Sequence, residues 1–114
     1  MVVSIAIVGC GRTGAPLLEA LLELPFVRVV GVADRDPDSP GAALARERDI
    51  FFTVNADVLA AKADQTDLII EVSGDPSVKP ALKQAFLAQN NSDTIIVHDL
   101  VARPNARTNG RGVP

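Results

Sequence analysis

At 114 residues and 47% hydrophobic composition, the chain has material for one domain around one core and too little for two of ordinary size. A net charge of -3 and a pI near 5.0 argue against a basic face for nucleic acid or an anionic membrane. The single cysteine, Cys10, excludes an internal disulfide framework, and with neither a cleavable leader nor an apolar run of roughly 18 residues a reduced, soluble, cytoplasmic setting is expected.

Residues 2–8 are nearly all apolar and partly β-branched, which suits a central strand buried on both faces of a parallel sheet. After Gly9, Gly11 and Gly14, Leu17, Leu18, Leu21, Leu22 and Leu24 recur at helical spacing, with Glu19 and Glu23 on another face. Pro16 lies near the first turn, where a missing N–H is tolerated, and Pro25 stops the run. Residues 27–33 read as a second strand and 34–38 as the loop at its carboxyl end. Ser39 before Pro40 predicts an N-cap and a first helical residue for a helix ending near Arg48. A short strand over 50–54 follows, then a brief helix capped by Asn55 and running through Lys62. Residues 67–72 predict a fourth strand that ends at Ser73 and Gly74. Asp75, Pro76 and Ser77 open the next helix, whose body over 81–89 places Leu82, Ala85, Phe86 and Gln89 at i, i+3, i+4 and i+7. Residues 94–97 predict a fifth strand.

Five strands alternating with four helical segments across short loops predict an α/β fold. The expected architecture is an open parallel sheet of order 3-2-1-4-5, with right-handed crossovers and helices on both faces, two to each. This domain is expected to occupy residues 1–102, with 103–114 as a flexible tail. The tail holds Arg103, Arg107 and Arg111; without them, residues 1–102 carry 8 basic against 14 acidic side chains. No internal repeat is present.

The chemistry concentrates in Gly9-Cys10-Gly11-Arg12-Thr13-Gly14, which stands between the first strand and the first helix and precedes Asp34 by twenty residues. This is the register of a dinucleotide-binding βαβ unit, and each glycine has its own steric reason. Gly9 allows a tight turn off the strand, Gly11 lets the backbone approach a pyrophosphate, and Gly14 permits close helix–strand packing. N–H groups at the helix start face the phosphates, assisted by the helix dipole. Asp34, at the tip of the second strand, can accept hydrogen bonds from both adenosine ribose hydroxyls. A 2′-phosphate would set a second negative charge against it, so NAD is favoured over NADP; Arg35 is the complication, because a neighbouring guanidinium can accommodate that phosphate. The plainer alternative is a tight turn followed by a solvated acidic loop. S-adenosylmethionine also stays open, since methyltransferase sheets carry a glycine loop and an acid at corresponding places, although they normally need more strands.

On these residues the chain resembles the N-terminal NAD(P)-binding Rossmann domain of a large oxidoreductase group. That group includes the glucose-fructose oxidoreductase and inositol dehydrogenase family, aspartate and homoserine dehydrogenases, and dihydrodipicolinate reductase. The resemblance covers roughly residues 2–100 and rests on residues 5–14, on Val30-Gly31-Val32-Ala33-Asp34-Arg35, and on Asp67-Leu68-Ile69-Ile70-Glu71-Val72-Ser73-Gly74. It implies that Ser73 and Gly74 lie beside the cofactor, near its nicotinamide half. Two departures matter. The first family's Glu-Lys-Pro after the fifth strand is replaced by His98-Asp99-Leu100-Val101-Ala102-Arg103-Pro104, so its catalytic lysine is absent, and no substrate domain is expected within this length. Rossmann domains preceding signalling modules in some bacterial regulators resemble these segments more loosely.

Other signals are weaker. His98 ends the fifth strand on the ligand-binding edge, but Asp99 beside it points to the opposite face, so the catalytic residues are left unassigned. With one His and no ligand-spaced Cys pair, no metal site is expected. Cys10 is best explained by small size at a crowded turn. Glu71 inside an apolar strand is either a buried, paired carboxylate or a solvent-facing one. Lys79 and Lys83 read as a solvated helix face. The cofactor-binding set is thus Gly9, Cys10, Gly11, Arg12, Thr13, Gly14, Asp34, Arg35, Ser73 and Gly74. The expected function is a NAD-preferring dinucleotide-binding domain of an oxidoreductase that lacks its substrate domain; the alternative is a sensor of NAD(H) or another adenine nucleotide. A catalytic or signalling partner and a homo-oligomer both stay open, although the absence of Trp and Tyr removes common interface anchors.

Overall fold

A computed structural model describes residues 2–9, 11, 14–88 and 94–98. The elements are β1 (Val3–Val8), α1 (Gly14–Leu22), β2 (Val27–Ala33), α2 (Pro40–Glu47), β3 (Phe52–Thr53), α3 (Ala56–Ala60), β4 (Leu68–Glu71), α4 (Val78–Ala88) and β5 (Ile95–His98). All five strands pair in parallel in the order β3-β2-β1-β4-β5. This is the Rossmann-like sheet expected from the sequence.

The apolar run of β1 divides by strand period between two cores. Ala6 and Val8 face α3 and α4, packing with Ala33, Leu59, Ile69, Leu82 and Phe86. Ile5 and Ile7 face α1 and α2, packing with Leu18, Val32, Ala45 and Ile70. Both faces of β1 are therefore dry, as a central parallel strand requires. Ile7, Leu18, Leu59, Ile69 and Leu82 are fully buried, and each stabilises the fold by about 1.5–3 kcal/mol.

Local signals set the element ends. The Ser39 hydroxyl accepts from Ala42 N–H at 3.2 Å with Pro40 in the first turn, and Asn55 Oδ1 accepts from Asp57 N–H at 2.9 Å. At the far end of α2, Ile50 N–H donates to Ala45 C=O at 2.8 Å and Asp49 N–H to Arg46 C=O at 3.3 Å. This is a Schellman closure, and it places Asp49 at φ 59°. The region of the expected third helix ends earlier than Lys62 and passes into a 3-10 turn over Ala63–Gln65. Pro80 is tolerated because it lies in the first turn of α4.

β2 departs from simple alternation. Ile5 pairs with Val29 but Ala6 pairs with Gly31, so Val30 is an extra residue and the strand bulges there. The bulge turns Gly31 toward α3. A Cβ on Gly31 would lie 2.7 Å from Leu59 Cδ2 and 3.2 Å from Phe51 Cδ2, so this glycine seats Leu59 against the sheet. At the amino-terminal edge, Asp67 ties three strands. Its carboxylate accepts from Ser4 N–H at 2.8 Å, its N–H donates to Ser4 C=O at 2.8 Å, and its C=O accepts from Ile95 N–H at 3.0 Å.

Candidate functional site

The chain leaves β1 toward β2 on one side, and β4 lies on the other side of β1, so the connections diverge at the carboxyl ends of β1 and β4. Open α/β sheets bind ligands at such a point. A cleft of about 320 Å3 opens there, lined by Gly9 and Gly11 after β1, Asp34 and Arg35 after β2, and Val72 and Ser73 after β4. Val54, Ala56 and Val78 add an apolar wall. The structure thus brings together, from three loops, five residues of the expected binding set: Gly9, Gly11, Asp34, Arg35 and Ser73.

Gly9 has φ 92° and donates its N–H to Ala33 C=O at 2.7 Å. A Cβ at this position would lie 2.4 Å from Ser73 Cα and 2.6 Å from Ser73 N, distances no packed atoms tolerate. Gly9 therefore serves a close approach between the exits of β1 and β4, in addition to the turn. Gly11 is the opposite case: a Cβ there meets nothing within 4 Å, so its backbone borders open space. Gly11 C=O accepts from Ala15 N–H at 3.0 Å, opening the first turn of α1, and Gly14 is buried at the helix start. Cys10, Arg12 and Thr13 lie outside the described residues.

Asp34 is tied to β3 by its N–H, which donates to Thr53 C=O at 3.1 Å. Its Oδ1 accepts from Asp36 N–H at 2.9 Å, and Asp36 Oδ1 accepts from Asp38 N–H at 2.9 Å. These successive Asx turns preorganise the loop after β2. The loop after β4 is built on the same two-residue rhythm. Glu71, 1% exposed at the end of β4, accepts from both the N–H and the hydroxyl of Ser73. Ser73 Oγ accepts from Asp75 N–H at 3.1 Å, and Asp75 Oδ1 accepts from Ser77 N–H at 2.9 Å and from Ser77 Oγ at 2.7 Å.

Glu71 is therefore the buried, paired carboxylate of the two sequence alternatives, and Ser73 spends its hydroxyl on the loop. The spacing Glu71, Ser73, Asp75, Ser77 is the sequence signal for this chain of turns, and reading the segment only as strand end and helix start passes over it. Gly74 takes φ 77° inside the same loop. Arg35 and Asp75 form an ion pair joining the two loops at the rim of the cleft. His98 closes β5 in register with Glu71, but its side chain, Asp99 and residues 103–114 lie outside the description. Among the described residues no group of three or more His, Cys, Asp or Glu could hold a metal ion, and no helix is long and apolar enough to cross a membrane.

No family model matches the sequence, and no curated protein is significantly similar to it. Solved structures share its fold. The chain is similar to an apo, histidine-tagged saccharopine dehydrogenase (L-Glu forming) from Saccharomyces cerevisiae, at 17% identity and a TM-score of 0.64, over 89% of this chain and 22% of that one. It is also similar to GenD2 from gentamicin A biosynthesis, a structure in complex with NAD, at 21% identity and a TM-score of 0.62, over 85% of this chain and 34% of that one. The chain spans about a fifth and a third of these proteins. At such identities the likeness is one of fold, a Rossmann-type sheet, and bears on no finer grouping.

Proposed function

We propose that the chain is a dinucleotide-binding domain of an oxidoreductase and prefers NAD to NADP. The observation that carries this reading is the pairing, in one cleft, of open space over Gly11 with a carboxylate held at the tip of β2. A pyrophosphate at Gly11 meets backbone rather than side chain, beside the amino end of α1, where the helix dipole favours negative charge. From there the adenosine half extends toward Asp34, whose carboxylate accepts from the ribose hydroxyls. The nicotinamide half extends along the loop after β4, past Ser73 and Gly74. Cys10, Arg12 and Thr13 complete the glycine loop in this proposal. A bound NAD supplies hydride-accepting chemistry; the residues described here bind and orient it.

Asp34, Arg35 and Ser73 are the polar side chains among the described lining of the cleft, and Ser73 is engaged by Glu71. None is placed as a general acid or base for a substrate. Proton transfer and substrate recognition are accordingly assigned to groups beyond this cleft, from a partner chain or another domain. The neighbours support this reading as far as both are named with NAD or as a dehydrogenase and extend well beyond the matched region. Calorimetric titration of the 114-residue chain with NAD, NADH, NADPH and S-adenosylmethionine tests it. Binding of NAD or NADH, with no NADH formed from a panel of amino acids, polyols and 2-hydroxy acids, is the expected result. Binding of S-adenosylmethionine without either nicotinamide dinucleotide would replace it with the methyltransferase-like reading.

A further inference from the structure

Arg35 raises the obvious objection to a NAD preference, because a guanidinium next to Asp34 is well suited to a 2′-phosphate. Its position in the structure answers that objection. The guanidinium, on a side chain 79% exposed, pairs with Asp75 Oδ2, and Asp75 is itself held in place because Oδ1 accepts from both the N–H and the hydroxyl of Ser77. Arg35 lines the main cleft beside Asp34 and also an adjoining groove with Asn55, Ser77 and Val78. It therefore stands at the corner where the ribose end of the cleft meets the loop after β4.

We propose that Asp75 is a specificity-determining positioning residue: it holds Arg35 across the cleft rim, so the site disfavours a dinucleotide carrying a 2′-phosphate. The inference rests on the dinucleotide reading above. Arg35 is thereby neutralised at the rim by Asp75, and Asp34 is left as the acidic side chain in the described lining of the cleft. A 2′-phosphate entering that corner meets repulsion from Asp34 and an arginine already committed to Asp75. Such arrangements discriminate by penalising the wrong ligand as well as by rewarding the right one. A ligand with a free 2′-hydroxyl needs only Asp34 and leaves the Arg35–Asp75 pair intact.

The test is titration of the full chain with NAD and with NADP, for the wild type and for Asp75→Asn, Asp75→Glu, Arg35→Ala and the double variant Asp75→Asn/Arg35→Ala. Asparagine keeps an oxygen for Ser77, so the loop retains its turn while the guanidinium loses its counter-charge. Asp75→Asn is expected to tighten NADP about two- to fivefold, the strength of an exposed ion pair that the phosphate no longer has to break, and to change NAD less than about 1.5-fold. Asp75→Glu should keep the wild-type ratio. The gain should vanish in the double variant, because it is Arg35 that receives the phosphate. An unchanged NADP-to-NAD ratio in Asp75→Asn, or a gain that survives loss of Arg35, overturns the role of Asp75 and leaves the dinucleotide reading standing. Failure of the wild type to bind either dinucleotide overturns both.

Discussion

Two glycines of one motif, Gly9 and Gly11, should fail in opposite ways when given a side chain. Alanine at residue 9 inherits φ 92°, a region that costs an L-residue about 1–2 kcal/mol. Its Cβ would also sit 2.4 Å from Ser73 Cα, an overlap with backbone that no rotamer relieves. Forced insertion into a packed site adds about 1–3 kcal/mol, so Gly9→Ala should lose about 2–5 kcal/mol in total. The damage propagates: Ser73 must move, and with it the bond from Val72 N–H to Val8 C=O and the buried anchor on Glu71. Against a total stability of about 5–15 kcal/mol this is a large fraction. Gly11→Ala places its Cβ in open space and should change stability by less than about 0.5 kcal/mol. Gly11→Val should fold and yet abolish dinucleotide binding, because the space it fills is the space assigned to the pyrophosphate. Urea denaturation followed by circular dichroism separates the two, read as a midpoint shift at constant m-value, with NAD titration alongside. If Gly9→Ala unfolds at the wild-type midpoint, or Gly11→Ala is as unstable as Gly9→Ala, the steric assignment of this loop is wrong.

Asp34→Ala removes both the ribose acceptor and the Asx turn to Asp36, whereas Asp34→Asn keeps the turn and drops the charge; both should weaken NAD by roughly 10- to 100-fold in calorimetry. A result in which only the alanine variant loses affinity would reduce Asp34 to a loop former. Gly31→Ala should destabilise by about 1–3 kcal/mol through its contact with Leu59, and the combination with Leu59→Ala should cost measurably less than the sum of the two single changes in a double-mutant cycle. Asp49→Gly should stabilise by about 1 kcal/mol, seen as a rise of roughly 4–8 °C in Tm, since glycine takes the φ of 59° at the end of α2 without strain.

What the amino-acid sequence settled by itself is whatever depends on near neighbours along the chain. The apolar run of β1, the leucine spacing of α1, the Ser39–Pro40 and Asn55 helix starts and the glycine loop each report a local periodicity or a local cap. Together with the handedness of βαβ crossovers they imply the sheet order. The cluster lining the cleft was legible to the same extent, because Gly9, Gly11 and Asp34 sit at strand ends that the parallel order must bring to one edge. The fit between parts was not legible. Gly9 is demanded by Ser73, Gly31 by Leu59, and Arg35 is held by Asp75, pairs separated by 28 to 64 positions in the sequence. The bulge at Val30 and the burial of Glu71 belong to the same class. Such relations are set by distances across the folded chain, where a tenth of a nanometre decides between contact and overlap. A linear sequence carries residue types and spacings, and only packing turns them into those distances.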